Sequence, residues 1–493
     1  MTRQLEFYAS PPPPARLIRA CSAGDGIRVI DASLAAKMAG RYQETLHDRV
    51  PVAFVPASGA ASRMFKSPLA TLHARHPVTV ADLERDAARS ADARDVLELI
   101  RELRRFGFYG DLTKRADEAG IDLSAIGVDM DLRPILDLLL GPHGLDYGSR
   151  PKGLLAFHRY GKGARTPFEE HLVEAAAYAR DAEGVCRLHL TVSGEHEEAF
   201  AALSARVVPE YETRFGVRYE VTFSTQHPAT DALAVDADNK PFRLADGSLL
   251  FRPGGHGSLI ENLGEIRGAD LVFVKNIDNV VPDHAKAETL LWKRALGVLL
   301  IELQAKVFAA LAALDADAAA AIGSARALLR DDLGIEIAGD FASPELIRDL
   351  LDQPLRVCGM VRSTGDPGGG PFWVKLDGRE TLQIVETSQV DPKDSAQQRI
   401  LKSATHFNPV DLVCATRSRT GKPFDLHRYV DQEAIFIAEK SKDGRPLKSL
   451  ERPGLWNGGM ARWNTVFVEV PATTFNPVKT VNALLEPAHQ PSA

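Results

Sequence analysis

Short apolar runs separated by helix-spaced stretches set the pattern of this chain. The first, VPVAFVP at 50–56, is apolar at odd and even positions alike, which predicts a strand buried on both faces, as in a parallel sheet. The runs at 186–192, 219–224 and 271–274 predict further strands, and 464–470 predicts one more near the C-terminus. Between them lie stretches with helical spacing: 79–105, 132–140, a helix opened by the cap Thr166 with Pro167 behind it, one from about Glu197, and the Ala/Leu-rich stretch 284–355. Beyond Leu355 the pattern changes to short strands and loops.

Strands that alternate with helices predict an α/β, Rossmann-like fold with a mixed, mostly parallel sheet, helical insertions and a small C-terminal α+β region. Polar and glycine-rich loops follow the C-terminal ends of the strands, the edge at which open α/β sheets bind ligands. The expected organisation is an N-terminal extension over 1–49, a core over 50–283 with a helical insert at about 67–149, a helical segment over 284–354, and a last portion over 355–493. The proline run at 11–14 marks the extension as a flexible lead-in. The apolar stretch 295–313 is broken by Glu302, Gln304 and Lys306, so it predicts a packed helix rather than a membrane span.

At 493 residues, 45% hydrophobic and 25% charged, the chain can bury its own core. A net charge of −7 leaves no broad basic field and speaks against nucleic acid as a partner. Cys21, Cys186, Cys358 and Cys414 are far apart with no C-x-x-C pair, and no secretory apolar stretch opens the chain. A reducing, cytoplasmic setting away from membranes is expected; the oligomeric state is left open.

The loop Ala57-Ser58-Gly59-Ala60-Ala61-Ser62, with Arg63 and Lys66 behind it, follows the first strand and offers backbone N–H groups and cations to phosphate. It is not a Walker loop. Lys152, in Pro151-Lys152-Gly153, would face the same edge and could stabilise charge on a transferring phosphoryl group. Glycines 254, 255 and 257 around His256 suggest a flat slot, as for one side of a nucleobase. Asp278, at the end of an apolar strand, stands where a Mg²⁺ ligand would join protein to phosphate. The D-x-D pairs Asp129/Asp131 and Asp236/Asp238 lie in polar, turn-like or helical contexts and read as solvated loop residues. No G-x-S-x-G, H-E-x-x-H or G-x-G-x-x-G motif stands at a suitable place.

Taken in order, residues 57–64, PKGLL at 151–155, VSG at 192–194, Gln226, PGGHG at 253–257, VKNIDN at 274–279 and FNPVK at 475–479 resemble the motifs of the UDP-sugar pyrophosphorylases. The whole chain is also similar to a bacterial family of about 500 residues described only as a domain of unknown function. The resemblance implies a GT-A-type nucleotidyltransferase core. It also implies Mg²⁺-dependent transfer of a nucleotidyl group from a nucleoside triphosphate, UTP foremost, to a sugar 1-phosphate with release of pyrophosphate. Carried over by position, Ser58, Gly59, Ala60 and Arg63 would hold the triphosphate, and Gln226, Gly255 and Gly257 the base. Lys152 and Lys479 would offset phosphate charge, Asp278 would bind Mg²⁺, and Glu386 and Asn408 would contact the sugar.

The loop lacks most of the family's glycines, and about 85 residues separate it from Lys152. Two alternatives stay open: a glycosyltransferase of related fold working through Asp236-Ala237-Asp238, and a nucleotide-binding protein without catalysis.

Overall fold

The computed structural model describes residues 2–59, 61–161, 163–337, 343–363, 365 and 369–491. Its centre is a ten-stranded sheet. In chain order the strands are β1 (Ser22–Ala23), β2 (Gly26–Arg28), β3 (Pro51–Pro56), β4 (Val185–Val192), β5 (Arg218–Thr225), β6 (Leu271–Lys275), β7 (Leu355–Arg362), β8 (His406–Phe407), β9 (Asp411–Ala415) and β10 (Asn464–Glu469). They lie side by side as β1-β2-β10-β7-β9-β6-β3-β4-β5, with β8 beside β7. Every pair is parallel except those of β9 with β6 and β7 and of β8 with β7.

The two-sided apolar character of β3 and β6 follows from this arrangement. Ala53, Val55, Leu271 and Phe273 enter the core on one face, and Val52, Phe54, Val272 and Val274 enter the core on the other. The first face is covered by α1 (Ala32–Thr45), α2 (Pro167–Tyr178), α3 (Glu197–Phe215) and α4 (Lys286–Ala316). The second is covered by helix Leu259–Glu265 and by Leu455, Trp456, Met460 and Trp463. A capping box opens α2: Glu169 N donates to Thr166 Oγ1 at 3.3 Å, and Thr166 N donates to Glu169 Oε2 at 2.8 Å.

Helix α4 is long and apolar enough to cross a membrane by length and composition. Here it is a core helix: buried Lys293 pairs with Asp411 at the start of β9, and buried Lys286 pairs with Glu170 of α2 at 2.8 Å. Gly297 lets it close on α1, since a Cβ there would lie 2.8 Å from the Tyr42 ring.

Residues 2–49 are not a bare lead-in, which corrects the sequence expectation of a flexible one. Helix Thr2–Ala9 docks through Tyr8, whose hydroxyl donates to Leu233 O and accepts from Leu450 N, both at 2.7 Å. Strands β1 and β2 edge the central sheet, and α1 packs against α4. Strands this short carry no readable period.

After β3 the chain leaves the sheet for helices Lys66–Leu72, Val80–Asp86, Ala91–Arg101, Tyr109–Glu118 and Arg133–Leu140. These enclose a core of their own around Val96, Leu99, Phe106, Phe108 and Leu136. Val478, Val481 and Leu484, from the other end of the chain, complete it. Besides the two-stranded ribbon His158–Tyr160/Gly163–Arg165, two smaller sheets flank the centre among the described residues. One is the hairpin Gly370–Leu376/Arg379–Val385 joined by Leu17–Ala20; the other comprises Phe251–Arg252, Ala232–Val235, Arg445–Glu451 and Phe436–Lys442.

Candidate functional site

The C-terminal edge of the sheet gathers the loops that follow β3, β4, β5 and β6. After β3, Ala57 N donates to Thr191 O at 2.8 Å, which ties the loop to the end of β4. Gly59 faces open space, with no atom near enough to demand glycine there. Ala60 lies outside the described residues. The loop runs into a 3₁₀ turn, Ala61–Arg63, and the α-helix begins only at Lys66. Arg63 is exposed, whereas Met64 and Phe65 behind it are buried in the insert's core.

Lys152 sits on the 3₁₀ turn Lys152–Leu154. Gly153 is pressed so close to the Phe200 ring that a Cβ would lie 2.8 Å from it, and this contact seats the turn. The Lys152 ammonium donates to Asp278 Oδ2 and to Val478 O, both at 2.7 Å. Asp278 stands in the turn after β6, held by its neighbours. His171 Nε2 is 3.3 Å from Ile277 O, Asn476 N donates to Asn279 Oδ1 at 2.9 Å, and Val478 N donates to Asp278 O at 3.0 Å. The same Oδ2 of Asp278 lies 3.4 Å from the ammonium of Lys479.

Burial opposes ionisation of Asp278, but Lys152 and Lys479 overcome it and hold the carboxyl below its usual range. For Lys152 the balance is reversed: burial lowers its pKa, the Asp278 charge pulls it back up, and Lys479 and Arg63 lower it further. The two lysines differ in exposure. The side chain of Lys152 is 13% exposed and that of Lys479 is 61%, so the second ammonium is screened and free to follow a ligand.

Beside this cluster Gln226, directly after β5, donates from Nε2 to Gly255 O at 3.2 Å and reaches Ser58 Oγ at 3.5 Å. Gly255 has φ +56°, a left-handed conformation that favours glycine. Gly257 is buried, and a Cβ on it would meet the Arg452 Cβ at 2.4 Å; packing against that segment accounts for this glycine. His256 stacks at a tilt on Trp456, ring centroids 4.5 Å apart. It keeps an open surface yet is walled in by the loops. That crowding, with help from Lys479 and Arg63, lowers its imidazole below the ordinary 6.5. Arg63, Lys152, Lys479, Asp278 and His256 therefore share one electrostatic neighbourhood. The three glycines around His256 were the available signal that it faces a cleft.

Glu386 and Asn408 lie to the other side. Half-buried Glu386 opens the turn Thr387–Gln389, and burial together with Glu451 raises its pKa. Glu451 also acts on His256, which links the two regions. Asn408 is buried; its Oδ1 accepts from Val410 N at 3.1 Å and its amide nitrogen has no partner. Val410 is β-branched with φ +58°, so Asn408 supports a strained turn into β9. No side-chain contact joins Glu386 or Asn408 to the Lys152–Asp278–Lys479 cluster among the described residues. Asp236 caps its own turn, accepting from Asp238 N at 2.9 Å and Lys240 N at 3.0 Å, and Asp131 is taken by Arg133 at 2.7 Å.

An α/β protein with a mostly parallel sheet and a lysine-bracketed carboxylate at the C-terminal edge of its strands is the class these features define. The chain belongs to the family described as domain of unknown function DUF4301, whose model matches residues 1–490. No curated protein matches the chain. Similar solved structures include a variant of UDP-glucose pyrophosphorylase from Leishmania major in complex with UDP-glucose. That likeness has 12% identity, covers 98% of this chain and 73% of that one, and has a TM-score of 0.46. Another is UDP-N-acetylglucosamine pyrophosphorylase from Trypanosoma brucei in complex with an inhibitor, at 13% identity over 98% and 74% of the two chains with a TM-score of 0.47. A putative UDP-N-acetylglucosamine pyrophosphorylase from Entamoeba histolytica is 12% identical over 94% and 85%, with a TM-score of 0.44.

Proposed function

We propose that this protein is a nucleotidyltransferase that joins the nucleotidyl group of a nucleoside triphosphate, UTP foremost, to a sugar 1-phosphate. The observation that carries the reading is Asp278 held at the strand edge between Lys152 and Lys479, with the Gln226–Gly255 wall beside it. A phosphate oxygen of the acceptor attacks the α-phosphorus, and the bond from that phosphorus to the pyrophosphate oxygen breaks. Such a reaction needs positioning and cationic stabilisation rather than a protein nucleophile. Lys152 and Lys479 supply charge near the α-phosphate and the acceptor, Arg63 meets the β- and γ-phosphates, and the slot at Gln226 and Gly255 takes the base.

Among the described residues no group of three or more His, Cys, Asp or Glu side chains could hold a metal. A single carboxylate still suits Mg²⁺, which binds through one or two carboxylates together with substrate phosphates. Asp278 would hold it, since both ammonium contacts fall on Oδ2 and leave Oδ1 for a cation. The ion when bound would neutralise charge on the phosphates.

The test is pyrophosphate release with Mg²⁺, a panel of nucleoside triphosphates and a panel of sugar 1-phosphates, run beside Lys152→Ala. Release that needs both substrates and disappears in the variant supports the reading. Undiminished release in the variant overturns it, and triphosphate-dependent thermal stabilisation without product would make the protein a nucleotide binder.

A further inference from the structure

Lys479 stands on a stretch of chain with no helix or strand of its own, between two sets of anchors. On the near side Asn279 and Pro477 form an antiparallel bridge, and Val478 N donates to Asp278 O at 3.0 Å, which fastens the chain to the turn after β6. On the far side Val481 N donates to Met64 O at 3.1 Å. The side-chain amide of Asn482 donates to Asp95 O at 2.9 Å and to Glu98 Oε2 at 2.8 Å. Asp95 and Glu98 belong to helix Ala91–Arg101 of the insert. Lys479 and Thr480 thus bridge an anchor on the sheet edge and an anchor on the insert.

The side chain of Lys479 is 61% exposed, and Asp278 at 3.4 Å is its hydrogen-bond partner. A side chain so little packed goes where its backbone takes it. Val478, Val481 and Leu484 hold the segment against the insert by apolar contact. Such contact is non-directional and sets depth better than register. Register falls to the directional bonds, and the single amide of Asn482 supplies two of them. An aspartate in its place would offer no N–H and would set a carboxylate against that of Glu98.

We propose that Asn482 is a positioning residue: it fixes the segment on the insert and so sets where the Lys479 ammonium stands relative to Asp278. This rests on the reading of the cleft as a nucleotidyltransferase site in which Lys479 faces the phosphates. The helical insert is then part of the catalytic geometry. It carries the far anchor of Lys479, and its two ends join the turns that bear Arg63 and Lys152.

The experiment pairs pyrophosphate-release kinetics of the full chain with limited tryptic cleavage after Lys479, read by mass spectrometry. Asn482→Ala should lower kcat about tenfold, well inside the roughly 10²-fold that a displacement of about 1 Å can cost. The KM for triphosphate should stay within about twofold, since ground-state binding is left in place. Combined with Lys479→Met, the substitution should lower kcat no further, because it acts only through that ammonium. Asn482→Asp should be worse than Asn482→Ala, and adding Glu98→Gln, which turns one bond round, should recover turnover. Trypsin should cut after Lys479 faster in Asn482→Ala and in Asn482→Asp than in the natural chain, as local opening becomes easier. An unchanged kcat in Asn482→Asp, an equal loss from Asn482→Ala on the Lys479→Met background, or cleavage no faster than in the natural chain would overturn the proposal. Absence of pyrophosphate release by the natural chain with every substrate pair would instead remove the nucleotidyltransferase reading, and the tryptic cleavage would still decide whether Asn482 fastens Lys479.

Discussion

The ammonium of Lys152 lies 2.7 Å from Oδ2 of Asp278 although 126 positions separate them, and both groups are sheltered from solvent. The pair is the electrostatic centre of the cleft. Lys152 also donates to Val478 O, one residue before Lys479, so it ties the two lysines' segments together.

Replacing Lys152 with Met keeps the length of the side chain and removes its charge. Turnover should fall by about 10²–10³, the scale seen when one preorganised donor is lost, while thermal stabilisation by the triphosphate persists. Steady-state pyrophosphate release and melting curves check this; near-normal turnover would remove Lys152 from the chemistry.

The pair also predicts a pH profile. Activity needs Asp278 ionised and Lys152 protonated. The carboxyl is held below its ordinary 3.8, so the acid limb should lie below that value. Burial lowers Lys152 below 10.5, so activity should be lost as pH rises through a value under 10.5. Lys152→Arg should move the alkaline limb upward. Profiles of kcat/KM against pH provide the check, and an alkaline limb unmoved by the substitution would contradict the assignment.

Three residues before Asp278, buried Lys275 pairs with Glu174 at 2.8 and 3.0 Å. Glu174→Gln strands a buried ammonium and should cost about 3–5 kcal/mol, whereas replacing both with Leu and Met should cost much less. Urea denaturation of the two variants distinguishes these outcomes; equal losses would mean that packing, not charge, dominates.

Gly257→Ala places a methyl group 2.4 Å from the Arg452 Cβ and 3.0 Å from Pro453 O. The expected cost is about 1–3 kcal/mol of stability, with a raised KM for triphosphate because the Gly255–Ser258 turn must shift. An unchanged KM in a folded variant would separate this turn from base binding.

His158 and His489 are buried with 3.0 Å between ring nitrogens, and they clasp the C-terminal segment to the strand after the insert. Burial, with His158 and Lys286 adding to it, pushes His489 down to about 3. The unfolded chain, with histidine near 6.5, takes up the proton first, so stability is complete above about 6.5 and declines as pH falls toward 3. Urea midpoints at pH 7.5 and 5 should differ more in the natural protein than in His489→Gln, and equal differences would refute the clasp.

The sheet was legible in the sequence because a strand buried on both faces must be apolar at every position, as 50–56 and 271–274 are, and because 186–192 alternates Cys186, Leu188, Leu190 and Val192 with Arg187, His189 and Thr191 at the period of a strand. The loops after these strands were legible for the same reason: polar and glycine positions stand out where an apolar run stops. The N-terminal strands were not, being two and three residues long. Nor was the reversed direction of β9, since a run such as DLVCA reads alike in either orientation.

By itself, then, the sequence determined the fold class, the strand ends and the cations and carboxylate placed after them, because burial and turn chemistry act over a few neighbouring residues. Only the tertiary structure decided that Lys152, Asp278 and Lys479 meet on one carboxylate oxygen and that the C-terminal segment completes the insert's core. Those relations rest on contacts across hundreds of positions, which packing fixes and no local pattern encodes.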